Sequence, residues 1–174
     1  NAAATNIINS INVYWNHEMS ILMTIYQNVI INTNPASDPF FLSGGNILSE
    51  TTSAIHAAYN NGAYDLGHCL HAASSGGSGV AFVGVTCNNT ILTNAGRFKA
   101  GGFSSGSNQN LLSIGIMTHE IGHMFNSPHT FNGSELNCAG NSHSLSTAFE
   151  IGSGTTIMSY AGLCAGHNVQ SNQD

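Results

Sequence analysis

Four residues of this sequence have the types and spacing for metal chemistry: His119, Glu120, His123 and His129. Two histidines at i and i+4 lie on one face of a helix, one turn apart. Both imidazoles can then reach a single ion at ~2.0–2.1 Å. Glu120 sits beside them, placed to meet a water on that ion rather than the ion, as metal-assisted hydrolysis requires. A third nitrogen needs the chain to leave the helix and turn back. Asn126 is second only to Gly in adopting the left-handed conformation that makes such a turn, so it fits as the helix stop, and Pro128 keeps the helix from resuming. With His129, three neutral nitrogens leave a fourth position for water, the layout of a catalytic rather than a structural zinc site.

The element that must carry the first two histidines is also the clearest one in the chain. Asn110 to Phe125 reads as a helix whose apolar residues (Leu111, Leu112, Ile114, Ile116, Met117, Ile121, Met124) cover most of its sides, so it should be central. Ala2 to Glu18 reads as an earlier helix, with Ile7, Ile8, Ile11 and Tyr14 or Trp15 at helical spacing. A third helix is expected over Glu50 to Asn60, stopped by Asn61-Gly62. Strands are expected over Met19 to Ile31, Tyr64 to His71 and Val80 to Cys87, with a short one over Phe98 to Phe103. Asn34 to Gly45 and Ser74 to Gly79 read as loops. Asn126 to Gly154 has no strong periodicity and reads as an irregular lobe, stapled rather than packed. Strands, then a buried helix, then loops predict an α/β architecture with helices on a mixed sheet.

Composition narrows the partners. Charged residues make up 6% of the chain, against ~25% in ordinary soluble domains, and Arg97 and Lys99 are the only basic side chains. Nucleic acid and anionic membrane both demand many Lys/Arg contacts, so neither is an expected partner. No apolar run reaches the ~18 residues of a membrane span. Four cysteines allow three pairings. The sequential one, Cys69–Cys87 with Cys138–Cys164, is the simplest, and one bridge beside two thiols is the alternative. An even count and a charge-poor surface point to an oxidising compartment and a secreted protein.

The extended stretch His119-Glu120-Ile121-Gly122-His123-Met124-Phe125-Asn126-Ser127-Pro128-His129 resembles the metzincins, whose motif is H-E-x-x-H-x-x-G-x-x-H followed by a Met-turn. It departs at Asn126, as some adamalysin-type (reprolysin) enzymes do. Thr156-Ile157-Met158-Ser159-Tyr160 looks like the Met-turn. Tyr64-Asp65-Leu66-Gly67-His68, Gly79-Val80-Ala81 with Gly84-Val85-Thr86-Cys87, His129-Thr130-Phe131-Asn132-Gly133 and Glu150-Ile151-Gly152-Ser153-Gly154 look like bacterial secreted reprolysin-like peptidases.

The resemblance implies a twisted mixed sheet with an antiparallel edge strand, a central active-site helix and an irregular C-terminal subdomain with the Met-turn. It implies one catalytic domain over 1–174, with an upper subdomain at 1–129 and a lower one at 130–174, lacking the family's first strand and last helix. It implies a monomeric zinc endopeptidase with Glu120 as general base, and a prodomain or flanking domains in the precursor. Met158 would support the histidines from beneath the zinc. Tyr160 would bind zinc or stabilise the oxyanion, the other reading being a Tyr packed in the Met-turn wall. Gly79, Val80, Ala81, Phe82 and Val83 would form the edge that binds a protein or peptide substrate.

Other features are weaker. His68 and His71 flank Cys69 and could make a second metal site, although a disulfide with solvated histidines is the plainer reading. Asn34 and Asp38 could bind calcium in a loop, or simply make a turn. Gly44-Gly45 and Gly76-Gly77 lack the Lys-Ser/Thr of a nucleotide-binding loop. The competing functional reading is a catalytically silent, zinc-containing peptide-binding or adhesion module, which would bind peptide without turnover.

Overall fold

The first helix follows from its apolar spacing. In the computed structural model, which describes residues 2–26, 47–72, 76–90, 98–106 and 112–173, α1 spans Ala2–Met19 and buries Ile11 and Trp15, four residues apart on one face. It ends where Ser20 adopts φ 55°, its last carbonyls accepting from Ser20 N and Ile21 N. The strand expected from Met19 is not formed in its described part. Met19 closes the helix and 20–26 is irregular. The Asn12 side chain takes both backbone groups of Met23, each at 2.8 Å, so these polar groups are satisfied by the helix rather than by a sheet. The rest of that segment, and the loop Asn34 to Gly45, lie outside the described residues.

The chain divides into two units, Asn1–Met124 and Phe125–Asp174. In the first, α2 spans Ile47–Ala58, beginning before Glu50. Among the described residues three strands form a mixed sheet, giving an α/β architecture: β1 (His68–Ala72), β2 (Gly77–Ala81) and β3 (Gly102–Gly106), in the order β1-β3-β2. β1 runs parallel to the central β3 and β2 antiparallel to it. The expected antiparallel edge strand is therefore β2. α3 (Leu112–Met124) packs on β3, β2 and α1, burying Met117, Ile121 and Met124.

The apolar run Val80 to Cys87 is not one strand. β2 starts earlier and stops at Ala81. Gly84 at φ 71° and Cys87 at φ 61° turn the chain out of extended geometry. Its amides have another use: Gly84 N donates to His123 O, and Val85 N and Thr86 N to Met124 O. The Thr86 hydroxyl also donates to Met124 O. The segment thus satisfies carbonyls that the end of α3 would leave orphaned. Strand boundaries shift elsewhere too: β1 begins at His68 rather than Tyr64, and β3 follows the turn at Lys99 and Ala100. Lys99 is buried, its ammonium donating to Tyr64 O and lying 4.3 Å from the centre of the Tyr64 ring.

The Cys69–Cys87 bridge is not made. Cys87 N donates to Asp65 O at 2.8 Å, holding Cys87 beside a residue four positions ahead of Cys69.

The second unit is built of turns and three-residue 3-10 helices. Phe131 and Glu150 form an isolated parallel bridge, extended by Asn132 N to Glu150 O and Gly133 N to Gly152 O. Phe131 and the Cys138–Cys164 disulfide form its core, with Tyr160 packed against them. The two cysteines are 26 positions apart, so the bridge should be worth about 3.5 kcal/mol in the chain-entropy model. Replacing both by Ala should lower the unfolding free energy by about that amount in denaturant titration. A loss below ~1 kcal/mol would show that the staple contributes little.

Candidate metal centre

α3 presents His119 and His123 one turn apart, with ring centroids 4.7 Å apart and planes at 88°. Both are buried, as is Glu120 between them. The His123 carbonyl is held by Gly84 N at 2.9 Å, which fixes the last turn of the helix where the second imidazole departs. Burial pushes the Glu120 carboxyl up to about 8, close to the working range of a base at neutral pH. Its Oε2 is buried with no hydrogen-bond partner among the described residues. Beneath it lies Gly79 of β2, where a Cβ would meet Glu120 Oε1 at 2.5 Å.

The helix stops as the sequence predicts. Met124 is its last residue and Asn126 adopts φ 71°. Within the second unit, His129 Nδ1 lies 2.6 Å from Ser142 O. A carbonyl can only accept, so Nδ1 carries the proton and Nε2 keeps a lone pair for a metal. Burial lowers the His129 pKa from its ordinary value, and the Ser142 bond acts in the opposite sense. The lowered value favours the neutral ring, the form that ligates. The Thr147 hydroxyl donates to His129 O at 2.6 Å. The Tyr160 ring lies 4.5 Å from His129 and 4.7 Å from Phe131, centre to centre, so Tyr160 forms a wall against the third histidine.

One nitrogen from each of His119, His123 and His129 lies within 4.8 Å of the other two. Three imidazole nitrogens and a buried carboxyl oxygen without a hydrogen-bond partner fit a zinc ion that keeps an open position.

The other expected site residues are placed as follows. Met158 lies in a turn closed by Ser159 N to Thr156 O at 3.0 Å, and its carbonyl accepts from Thr130 N, next to His129. Gly79, Val80 and Ala81 belong to β2, while Phe82 and Val83 have left the strand, Phe82 N turning to Gly101 O. His68 and His71 are not drawn into a metal cluster: the only such group among the described residues is the triad. His68 instead bonds Ser104 Oγ through Nε2 at 2.9 Å. Asn34 and Asp38 lie outside the described residues.

Two supports of this region were given no role by the sequence, Ser142 and Glu150, although Glu150 opens one of the stretches that look reprolysin-like. The Glu150 carboxylate accepts from the Thr130 hydroxyl, from Thr155 N at 2.7 Å, and from Thr156 through N and Oγ1 at 3.1 and 2.5 Å. It ties the residue after His129 to the turn that carries Met158. Burial alone would raise its pKa, but the hydroxyls of Thr130 and Thr156 and the amides of Thr155 and Thr156 win, and it is lowered. A depressed folded-state value gives stability that is present above the ordinary carboxylate value of 4.5. That stability is lost as pH falls through the folded value. Melting temperature should therefore drop on acidification below about pH 4.5. Glu150→Gln should lack this component and lose about 1–2 kcal/mol at pH 7. Parallel melting curves for both proteins would argue against the hub.

A family model described as metallo-peptidase family M12B, reprolysin-like, matches residues 1–130 of the chain's 174. The matched span contains His119, Glu120, His123 and His129. Neither curated proteins nor solved structures give a match.

Proposed function

This chain belongs to the reprolysin-like metallo-peptidases of family M12B, and from that premise we propose that it is a zinc-dependent endopeptidase using Glu120 as general base. The observation that carries the reading is the convergence of three histidine nitrogens within 4.8 Å beside a buried carboxylate with an unpartnered oxygen. Zinc, when held by His119, His123 and His129, supplies Lewis acidity that makes water nucleophilic near neutral pH and polarises the scissile carbonyl. Glu120 accepts the proton of the attacking water and delivers it to the departing amine.

The substrate is a protein or peptide lying along β2. That strand pairs with β3 on one side, and main-chain hydrogen bonds to its outer edge would hold an extended peptide largely without regard to sequence. Gly79, Val80 and Ala81 supply this edge, with Phe82 and Val83 continuing past it. Met158 supports the third histidine through its turn, and Tyr160 steadies the His129 ring and would stabilise the oxyanion. A monomeric catalytic domain acting outside the cell fits the Cys138–Cys164 bridge, and no described helix is long and apolar enough to cross a membrane.

The test is a zinc count on purified protein together with cleavage of a denatured protein substrate. One zinc per chain, loss of cleavage with a chelator and recovery on adding zinc are expected. Cleavage that survives complete metal removal, or failure to take up zinc, would overturn the reading.

A further inference from the structure

Glycine at 79 is required for space rather than for conformation. Its backbone has no positive φ, unlike Gly76 at φ 66° or Gly84 at φ 71°, so any residue could adopt its geometry. A Cβ there would nonetheless meet Glu120 Oε1 at 2.5 Å, Glu120 Cγ at 2.6 Å and Ile116 Cγ2 at 2.7 Å, all closer than real Cβ contacts allow. The carboxyl arm of Glu120 fills the volume that a side chain at 79 would need. Gly77, two residues earlier on the same face of β2, is crowded differently: a Cβ there would meet Ile116 Cδ1 at 2.7 Å and Ser105 O at 3.1 Å, with no Glu120 atom among its nearest neighbours. The two glycines let α3 approach the strand, but only one of them forms the bed of the carboxylate.

We propose that Gly79 is a positioning residue whose missing side chain seats the Glu120 carboxyl against β2. This rests on the peptidase reading for its functional consequence. If β2 holds the substrate backbone and also seats the base, the distance between base and scissile bond is set by one strand. Any side chain at 79 then moves the carboxyl off its line of attack while leaving the three histidines in place. Misplacement by about 1 Å costs on the order of 100-fold in rate.

The test has two arms, both on the zinc-loaded full chain. In the first, Gly79→Ala and Gly77→Ala are each made in the wild-type and Glu120→Ala backgrounds, and stability is measured by denaturant unfolding. The loss caused by Gly79→Ala should shrink when Glu120 is truncated, because the clash with Cγ and Oε1 is gone, whereas the loss from Gly77→Ala should be the same in both backgrounds. Additivity of Gly79→Ala with Glu120→Ala would overturn the seat. Should Gly79→Ala alone fail to fold, rescue by Glu120→Ala reports the same coupling, and failure in both backgrounds overturns it.

In the second arm, Gly79→Ala should lower kcat by about 100-fold with KM changed less than twofold and zinc content still one per chain. An unchanged kcat, or a loss traceable to missing zinc, would overturn the positioning role. The first arm needs no turnover, so a wild-type chain that cleaves nothing would sink the peptidase reading while the seat is still read.

Discussion

Glu120→Gln is expected to lower peptide hydrolysis by about 10²–10⁴-fold while the protein still carries one zinc per chain. The amide has the same shape as the acid and fits the same bed over Gly79, so packing is kept and only proton transfer is removed. The neutral amide leaves no buried charge without a partner. Stability should therefore stay close to that of the wild type. The measurement is kcat/KM on a peptide substrate, with zinc content and melting temperature determined on the same preparation. Equal turnover by the two proteins would falsify the general-base assignment, and loss of zinc would show that the carboxylate serves the metal rather than the proton.

His129→Ala should cost more than 100-fold in zinc affinity, since even outer-shell partners of a metal ligand are worth about 10–100-fold. Hydrolysis should fall with it. His119 and His123 come from consecutive turns of one helix and would remain, so weak binding by two nitrogens is the expected residue. The thermal consequence is equally readable. A ligand that binds only the folded state at a thousand times its Kd stabilises by about 4 kcal/mol. Wild-type protein should therefore melt at a higher temperature with zinc than with chelator, and His129→Ala should show almost no difference. A full zinc-dependent shift in the variant would remove His129 from the ligand set.

The parts of this protein that could be read directly were the local ones. The i, i+4 histidines and their apolar helix span a few turns, and the turn at Asn126 is fixed by one residue's tolerance of positive φ. The strands were harder because they do not alternate. β3 is Gly-Phe-Ser-Ser-Gly, buried throughout through small size rather than through apolar content. β2 begins with Gly-Ser-Gly, which reads as a turn until α3 is seen to need the room. The run Val80 to Cys87 looked like a strand because it is apolar, yet its amides serve the end of α3, a competition that no short window reveals. The cysteine order favours a Cys69–Cys87 bridge, yet no disulfide joins the two. Ser142 and Glu150 act on His129 and Thr130 across 13 and 20 positions, with a backbone carbonyl in one case and four converging donors in the other. Neither leaves a pattern in the order of residues.

The interment of Lys99 bears on how long such a protein lasts among other enzymes. Trypsin-like proteases need an accessible lysine or arginine side chain to enter their specificity pocket, and this chain offers just two, Arg97 and Lys99. Lys99 is 2% exposed, its ammonium engaged by Tyr64. While the fold holds, Lys99 is closed to an attacker of that specificity. A chain with two such side chains, one of them interred, is thus armoured by scarcity as well as by folding against proteases that require lysine or arginine.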